Sequence, residues 1–307
     1  MRVAVTGATG TIGSEVVRAL QERGDSVVAL SRDPDRARER LGPDVDARPW
    51  ADPKSEPAPA DALAGCDGVV NLLGEPVDQR WSEAARREIR DSRVLGTRNL
   101  VEGLKAADPR PRVLVSQSAS GWYGPHGDEP VDESAPAATD DFLAGVVVDW
   151  EHESRKAEDL GVRVATTRTG VVLAEGGGAL AKMLPPFRMG VGGPVAGGHQ
   201  YVPWVHVDDV AGAMLFALDT AGASGPINIA APEPVTNREL SKALGRVLHR
   251  PAVMPVPGFA LRLLYGEMAT IVTTGVRMVP GRLRELGYAW KRPDLEDALR
   301  AASSRAA

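Results

Sequence analysis

A glycine-rich turn close to the amino terminus limits the fold of this chain more than any other feature of its sequence. A short apolar run at residues 3–6 leads into Gly7-Ala8-Thr9-Gly10-Thr11-Ile12-Gly13, and an amphipathic helical pattern follows over residues 12–23. A strand, a glycine turn and a helix in this order open a βαβ unit, whose strands lie parallel and whose helices cover the sheet. This beginning therefore predicts an α/β protein.

The same alternation of apolar runs and helical patterns continues along the first half of the chain. Further strands are predicted at residues 26–31, 68–73, 112–116 and 162–168, and helices near residues 81–107 and 142–159. Strands that alternate with helices indicate a doubly wound parallel sheet of the Rossmann type, with helices on both of its faces.

The spacing of the three glycines in the turn suits a dinucleotide. Gly7 permits the tight turn, Gly10 lets the backbone approach a pyrophosphate, and Gly13 lets the helix pack closely on the strand. The first N–H groups of the helix and its dipole also attract phosphate. We therefore predict a dinucleotide cofactor here, and a glycine-rich turn without a ligand is the alternative.

The end of the second predicted strand indicates which dinucleotide is bound. An NAD site usually carries Asp or Glu at this point to hold the ribose 2′-hydroxyl, whereas this chain has Ser31 and Arg32. A hydroxyl and a guanidinium suit a 2′-phosphate, which a carboxylate would repel. Asp33 precedes a proline and is expected to cap the next helix, as Asp209 is expected to cap a later one. The pattern favours NADP(H), and a surface Ser-Arg pair is the alternative.

Glycine and proline divide the rest of the chain. We predict that residues 1–173 form the nucleotide-binding domain and that residues 204–231 return to it. Residues 174–203 are rich in glycine, and in residues 232–300 prolines separate the helical patterns. These two segments predict a smaller carboxyl-terminal lobe that binds the substrate, and residues 301–307 are expected to form a flexible tail.

Composition excludes several other classes of protein. Among 307 residues, 36 Lys and Arg face 41 Asp and Glu, a formal net charge of −5 at pH 7 that gives no general attraction to nucleic acid. No apolar run is long enough for a membrane span, and no export signal begins the chain. A single cysteine, Cys66, rules out a disulfide within the chain. We expect a cytoplasmic protein with no nucleic-acid or membrane partner.

Several further segments match one known family. They are Asn71-Leu72-Leu73-Gly74-Glu75, the serine-rich run from Ser116 to Tyr123-Gly124, Asp149-Trp150-Glu151, Arg168-Thr169-Gly170-Val171 and Trp204-Val205-His206-Val207-Asp208-Asp209. With the glycine turn, they resemble the extended and atypical short-chain dehydrogenase/reductases. The resemblance is strongest to the subgroup that is similar to nucleoside-diphosphate-sugar epimerases and is sometimes labelled cell-division inhibitor. It covers about residues 1–300.

The resemblance implies a set of cofactor contacts at the ends of the strands. The residues implied are Gly7, Thr9, Gly10, Thr11, Ile12 and Gly13 for the pyrophosphate, Ser31 and Arg32 for the 2′-phosphate, Asn71, Leu72 and Gly74 for adenosine and ribose, and Thr169, Gly170 and Val171 for the nicotinamide side. Ser116 is a further expected cofactor contact. Ligands of open α/β sheets bind at this edge.

The catalytic pair of the family is missing. Active members use Tyr-x-x-x-Lys, in which the tyrosine exchanges a proton with substrate and the lysine lowers the tyrosine pKa and holds the ribose. None of the four tyrosines in this chain has a lysine four residues later. When Glu151 is aligned with the acid of the family helix, Leu143 takes the tyrosine position and Val147 takes the lysine position. Neither side chain can transfer a proton.

Three polar residues are candidates for the remaining chemistry. Ser118 takes the position of the catalytic serine when residues are counted along the strand, although counting back from Tyr123 puts Ala119 there. Tyr123 is a candidate substitute acid, and Glu75 is a candidate for substrate binding. Each has a structural alternative: Ser118 would satisfy backbone groups, Tyr123 would pack, and Glu75 would be solvated.

Arginines along the predicted helix near residues 81–107 are a further candidate site. Arg86, Arg90, Arg93 and Thr97 share a helical face, which could bind a phosphate-bearing substrate or the other subunit of a homodimer. A solvated face balanced by neighbouring acids is the favoured interpretation. The histidines show no spacing typical of metal ligands, so no metal is expected.

Two hypotheses for function follow. In the first, the protein is an NADP(H)-dependent, epimerase-like oxidoreductase, and its small-molecule substrate lies between the nucleotide-binding domain and the carboxyl-terminal lobe. A proton would then come from Ser118, Tyr123 or water. In the second, NADP(H) is a structural or sensory ligand of a non-catalytic regulatory protein. A scaffold that has lost the cofactor is a third, weaker hypothesis, because the glycine turn is intact.

Overall fold

A seven-stranded parallel sheet lies at the centre of the computed structural model, which describes residues 1–303. The strands in this part of the chain are β1 Arg2–Thr6, β2 Ser26–Ser31, β3 Asp46–Pro49, β4 Gly68–Asn71, β5 Val113–Ala119, β6 Pro130–Val131, β7 Arg163–Thr169, β8 Val171–Ala174, β9 Tyr201–Val202, β10 Trp204–His206, β11 Gly225–Ile229, β12 Val235–Thr236 and β13 Arg277–Met278. The order β11-β7-β5-β4-β1-β2-β3 confirms the predicted Rossmann-type sheet.

The two edge strands of this sheet, β3 and β11, were not predicted, and the reason is clearest in β3. Its sequence, Asp46-Ala47-Arg48-Pro49, has two charges and a proline rather than an apolar run. Such residues suit an edge strand, where one side of the backbone faces solvent and a proline removes no ladder hydrogen bond. Three short strand pairs outside the central sheet, β8 with β10, β9 with β12 and β6 with β13, tie the remaining segments together.

Helices cover both faces of the sheet. The α-helices of the described residues, on the sheet and beyond it, are α1 Thr11–Glu22, α2 Pro34–Leu41, α3 Ala60–Leu63, α4 Glu83–Ala106, α5 Phe142–Arg155, α6 Gly178–Arg188, α7 Val207–Asp219, α8 Asn237–Val247, α9 Gly258–Tyr265, α10 Thr270–Thr273, α11 Gly281–Glu285 and α12 Leu295–Ser303. None of these helices combines the length and the apolar character that a membrane span requires.

Two apolar clusters fix the nucleotide-binding half of the molecule. On one face, Val16 and Leu20 of α1 and Met214 of α7 pack under β1, and all three are fully buried. On the other face, Leu100 and Leu104 of α4 pack against the same sheet. Burying side chains of this size stabilises the fold by about 1.5–3 kcal/mol each. The strands between the clusters are apolar on both sides, as expected for a parallel sheet.

A third apolar cluster joins α6, α8 and α12 beyond the end of the sheet. It includes Leu184 of α6, Leu244 of α8 and Leu299 of α12. The expected flexible tail begins too early, because α12 continues to Ser303 and the side chain of Ala302 is buried in this cluster. Residues 304–307 lie outside the described part of the chain.

Asp209 has a different role from the predicted helix cap. Helix α7 begins at Val207, and the ring nitrogen of His206 accepts the hydrogen bond from the Asp208 N–H. The Asp209 side chain is buried and accepts hydrogen bonds from the backbone N–H groups of Lys291 at 2.7 Å and Arg292 at 2.9 Å. It also lies 3.1 Å from the hydroxyl of Tyr288. This carboxylate therefore fastens the carboxyl-terminal segment to the central sheet.

We expect Asp209→Asn to lower the free energy of unfolding by about 2–3 kcal/mol. The amide would replace a charged acceptor of three donors and would turn its own N–H groups toward at least one of them. Urea denaturation measures the change. Asp219→Asn is the matched control, because Asp219 lies on the surface of the same helix in an ion pair with Arg23 and should change stability by less than about 1 kcal/mol. Equal effects of the two substitutions would contradict this role for Asp209.

Candidate functional site

The glycine turn forms a cradle that is open on one side. Gly7 has a φ of +61°, and a Cβ there would lie 2.5 Å from the carbonyl oxygen of Leu72. A Cβ on Gly13 would lie 2.2 Å from the carbonyl oxygen of Gly7. At Gly10 the nearest atom, the same carbonyl oxygen, is 3.3 Å away. Gly7 and Gly13 are thus required by internal packing, whereas Gly10 keeps the backbone clear toward a ligand.

The start of α1 has its hydrogen-bond donors free. Gly10 is the residue that precedes the helix, and no side chain caps it. The first N–H groups of a helix have no partner within the helix. An anion in front of the turn would therefore meet backbone donors and the positive end of the helix dipole. The residues present fit the pyrophosphate of a dinucleotide.

A buried polar network supports the turn from beneath. The Thr6 hydroxyl donates to Asn71 Oδ1 at 2.8 Å and accepts from the Leu72 N–H at 2.9 Å. The Asn71 amide donates to the hydroxyl of Thr97 at 2.9 Å and to that of Ser116 at 3.2 Å. The side chains of Asn71 and Ser116, which were expected to contact the cofactor, are fully buried. They hold the ends of β1, β4 and β5 in place rather than face open space.

The end of β2 carries guanidinium groups without partners. The Ser31 hydroxyl donates to the carbonyl oxygen of Asp33 at 2.9 Å, and the Asp33 carboxylate caps α2 as predicted. The Arg32 side chain is exposed and has no hydrogen bond or ion pair within residues 1–303. Arg36 in the first turn of α2 is in the same state. Its four-residue spacing from Arg32 was the signal that could have added it to the candidates.

The segment at the end of β7 is held by the protein itself. The Gly170 N–H donates to the carbonyl oxygen of Ile229 at 3.0 Å, and the Val171 N–H donates to that of Pro203 at 2.7 Å. Thr169 is buried, and its hydroxyl donates to the carbonyl oxygen of Thr167. The backbone donors of Gly170 and Val171 are therefore already used. An approach of this segment to a nicotinamide would involve its carbonyl groups or side chains.

The two predicted catalytic hydroxyls lie inside a sealed network. Ser118 donates to Glu151 Oε1 at 2.6 Å, and Arg168 binds both carboxylate oxygens of Glu151 at 2.8 and 3.1 Å. The Tyr123 hydroxyl donates to Asn228 Oδ1 at 2.7 Å and accepts from Arg168 at 3.1 Å. Ser118 and Tyr123 are both 0% exposed, and burial raises the pKa of Tyr123. This geometry favours the structural alternative for both residues.

Apolar side chains of α5 occupy the two positions of the missing catalytic pair and face the turn after β5. A Cβ on Gly121, in the 3₁₀ turn after β5, would lie 3.5 Å from Leu143 Cβ and 3.7 Å from Val147 Cγ2. Leu143 and Val147 of α5 therefore face the turn, as the alignment implied. Ser120, directly before Gly121, is half-buried, and its hydroxyl has no hydrogen bond within the described residues. Counting residues had considered only Ser118 and Ala119, so this accessible hydroxyl was missed.

The predicted arginine face of α4 is divided. Arg86 pairs with Glu267, and Arg90 pairs with Asp149 at 2.8 Å, so these two lie at the surface and bind acids of other elements. Thr97 is fully buried in the network under the turn. Arg93 is largely buried, and its guanidinium donates to the carbonyl oxygen of Glu75 at 2.9 Å. A single solvated face was therefore the wrong interpretation.

Glu75, the candidate for substrate binding, keeps its carboxylate available. The half-buried Glu75 is held through its backbone, because its N–H donates to the Ser92 hydroxyl at 3.0 Å, and its carboxylate has no partner in the described residues. No group of three His, Cys, Asp or Glu side chains within residues 1–303 could hold a metal ion. Burial raises the pKa of the Cys66 thiol.

We expect Tyr123→Phe to lower the free energy of unfolding by about 1–3 kcal/mol. The substitution removes the hydrogen bond to the buried Asn228 Oδ1 and leaves Arg168 Nη1 with only the Glu133 carbonyl oxygen at 3.3 Å. Chemical denaturation gives the change, and Tyr265→Phe is the control because Tyr265 is 44% exposed. A Tyr123→Phe protein of unchanged stability would contradict the structural role and would return Tyr123 to the catalytic candidates.

Comparison with known proteins places the chain in a family. Residues 3–230 match the NAD dependent epimerase/dehydratase family, and residues 256–302 match a domain of unknown function, DUF1731. The chain is 42% identical over 303 residues to the "Epimerase family protein SDR39U1 homolog, chloroplastic" of Arabidopsis thaliana, with 98% of this chain and 86% of that protein covered.

Two solved structures show the same fold at similar identity. The crystal structure of human epimerase family protein SDR39U1 (isoform2) with NADPH is 33% identical, with a TM-score of 0.88 and coverage of 99% of this chain and 100% of that one. The nucleoside-diphosphate sugar epimerase from Corynebacterium glutamicum is 32% identical, with a TM-score of 0.77 and coverage of 98% and 58%. The chain therefore belongs to the NAD dependent epimerase/dehydratase family, as an epimerase-like, atypical extended short-chain dehydrogenase/reductase.

Proposed function

We propose that this protein binds NADP(H) at the glycine turn and acts as an epimerase-like oxidoreductase on a small molecule that carries a carbonyl or hydroxyl group. One observation carries the proposal: a cradle open at Gly10, with free helix donors, lies on the same sheet edge as the unpaired guanidinium of Arg32. The relative solved with NADPH supports the choice of cofactor. The nicotinamide, when bound, supplies or accepts a hydride.

Each group of site residues then has a defined task. The backbone N–H groups of Thr9, Thr11, Ile12 and Gly13 bind the pyrophosphate, and Gly10, whose own N–H donates to the carbonyl oxygen of Gly7, leaves room for it. Ser31 and Arg32 bind the 2′-phosphate. Gly74 gives close access to the ribose, and the substrate lies between this sheet edge and the carboxyl-terminal lobe of residues 174–203 and 232–300. Glu75 lies on the segment that the substrate would meet. A cytoplasmic location and a homodimer stay predictions.

The tyrosine and lysine side chains that transfer the proton in active family members are missing here, so proton transfer has to use other groups. Leu143 and Val147 make that part of the site apolar, and Ser118 and Tyr123 are sealed away from it. The accessible donors at this point are the hydroxyl of Ser120 and water. General acid–base help is worth about 10²–10⁴-fold in rate, so a site that relies on water would turn over slowly.

A second function has its own support. The protein would bind NADP(H) as a regulatory or sensory ligand and catalyse no reaction. The burial of both candidate hydroxyls and the apolar residues at the two catalytic positions favour this alternative. Both functions require the same cofactor site, so measurements of turnover separate them.

We expect the wild-type protein to bind NADPH about tenfold to hundredfold more tightly than NADH, because a charge-assisted contact to the 2′-phosphate is worth about 1.5–3 kcal/mol. Arg32→Ala should remove most of this preference and leave the affinity for NADH unchanged. Isothermal titration of both cofactors measures it. Arg40→Ala, which removes another exposed, unpaired arginine from the same helix region, is the control. Equal wild-type affinities for the two cofactors would refute the assignment.

We expect little or no turnover of ordinary sugar nucleotides. NADPH-loaded protein is incubated with sugar nucleotides and carbonyl compounds, and the loss of NADPH absorbance and the product masses are followed. Any activity should fall with Ser120→Ala and stay within about twofold for Ser118→Ala, because only the Ser120 hydroxyl is accessible. Rapid turnover that neither substitution changes would show that another residue is the acid.

A further inference from the structure

Arg93 of α4 has two donor groups without a protein acceptor in the described residues, and both lie beside the backbone of Gly74. Its Nη1 donates to the carbonyl oxygens of Glu75 at 2.9 Å and Ile89 at 3.0 Å. Its Nε and Nη2 have no acceptor within residues 1–303. The buried side-chain nitrogen and oxygen atoms without a partner in this part of the chain are Ser241 Oγ and Arg277 Nε. Because the two Arg93 groups are not among them, both remain accessible.

The positive charge of Arg93 is not neutralised by the protein. No carboxylate of the described residues lies within 4.0 Å of its guanidinium, and Glu75 is the one acid with an electrostatic effect on it. Burial lowers the pKa of Arg93 to about 10, so the group stays charged at neutral pH. The buried Arg168 is different, because it binds both oxygens of Glu151. A half-buried cation without an anion is costly, and an anionic ligand group would offset that cost.

The Arg93 guanidinium lies at the same edge of the sheet as the predicted cofactor site. A Cβ on Gly74 would be 3.0 Å from Arg93 Cζ, and Leu72 of the same segment touches the glycine turn. On its other side, Arg93 Cζ is 5.3 Å from the ring centroid of Trp150. Trp150 is one helical turn after Val147 on α5. Arg93 therefore lies between the Gly74 segment and α5, the helix that carries the lysine position of the family.

We propose that Arg93 binds an anionic oxygen group, a phosphate or carboxylate, of the ligand held at this edge and supplies the positive charge that Val147 cannot. The proposal rests on the proposed function, because the ligand is either the nicotinamide half of the cofactor or the substrate. The shared chemistry is the same in both cases. A guanidinium with two free N–H groups suits two oxygens of one such group.

Arg93→Met tests the proposal, since it keeps much of the volume and removes the charge. NADPH and 2′,5′-ADP are titrated into this variant, into Arg93→Lys, and into the control Arg87→Met, which changes an exposed, unpaired arginine of the same helix. Inorganic phosphate is then titrated into each protein saturated with 2′,5′-ADP, which fills the Ser31–Arg32 end. Thermal melting checks the fold, because Arg93→Met also removes the hydrogen bonds to the carbonyl oxygens of Glu75 and Ile89, and a single cooperative transition shows that the variant is folded.

Two results support the proposal. If the anionic group belongs to the cofactor, Arg93→Met lowers the affinity for NADPH by about tenfold or more and leaves the affinity for 2′,5′-ADP unchanged. If the anionic group belongs to the substrate, Arg93→Met binds NADPH as tightly as the wild type does but no longer binds the inorganic phosphate that the wild type binds. In both cases Arg93→Lys keeps part of the affinity and Arg87→Met keeps all of it.

Two other results overturn the proposal. One is equal affinity of Arg93→Met and wild type for NADPH and phosphate. The other is an equal loss of NADPH and 2′,5′-ADP, which would show a general disturbance of the site. Failure of wild type to bind 2′,5′-ADP would instead contradict the proposed function. Inorganic phosphate titrated into the nucleotide-free wild type and Arg93→Met proteins would then still decide the role of Arg93, because only the wild type should bind it.

Discussion

The hydrogen-bonded network under the glycine turn is the constraint on which the site depends. Thr6, Asn71, Thr97 and Ser116 join the ends of three strands to α4, and all four side chains are fully buried. Fully buried polar groups are stable only when each has a hydrogen-bond partner. The hydrogen bonds among these four side chains therefore fix the distances between the strand ends. The backbone of the turn, the Asn71–Glu75 segment and α4 are positioned together by this network.

Two buried arginines show how the same charge serves two purposes. Arg168 is neutralised by Glu151 and links Ser118 to Tyr123, so residues that resemble catalytic groups form part of the core. Arg93 has only carbonyl oxygens for partners and keeps donors free. Leu143 and Val147 occupy the tyrosine and lysine positions of the family. Arg93 is therefore the positive charge near the site that an anionic ligand group would neutralise.

The sequence was sufficient for the five inner strands of the sheet and for the glycine turn, because apolar periodicity and glycine spacing are local signals. Edge strand β3 has no such signal, and the true length of α12 depends on the burial of Ala302 by other helices. The sealing of Ser118 and Tyr123 depends on Glu151, Arg168 and Asn228, which are distant in sequence. The difference between Arg90 and Arg93, one helical turn apart, likewise depends on which neighbours cover each side chain. Such properties arise from tertiary packing, and residue spacing alone does not encode them.

A crystal structure of this protein grown with NADPH is the most direct test of the account. We predict the pyrophosphate on the N–H groups at the start of α1 and the 2′-phosphate within hydrogen-bond distance of Ser31 and Arg32. Ser118 and Tyr123 should keep their present partners, with neither hydroxyl in contact with the nicotinamide. A nucleotide bound elsewhere, or a 2′-phosphate that contacts neither Ser31 nor Arg32, would contradict the central claim that this sheet edge is an NADP(H) site.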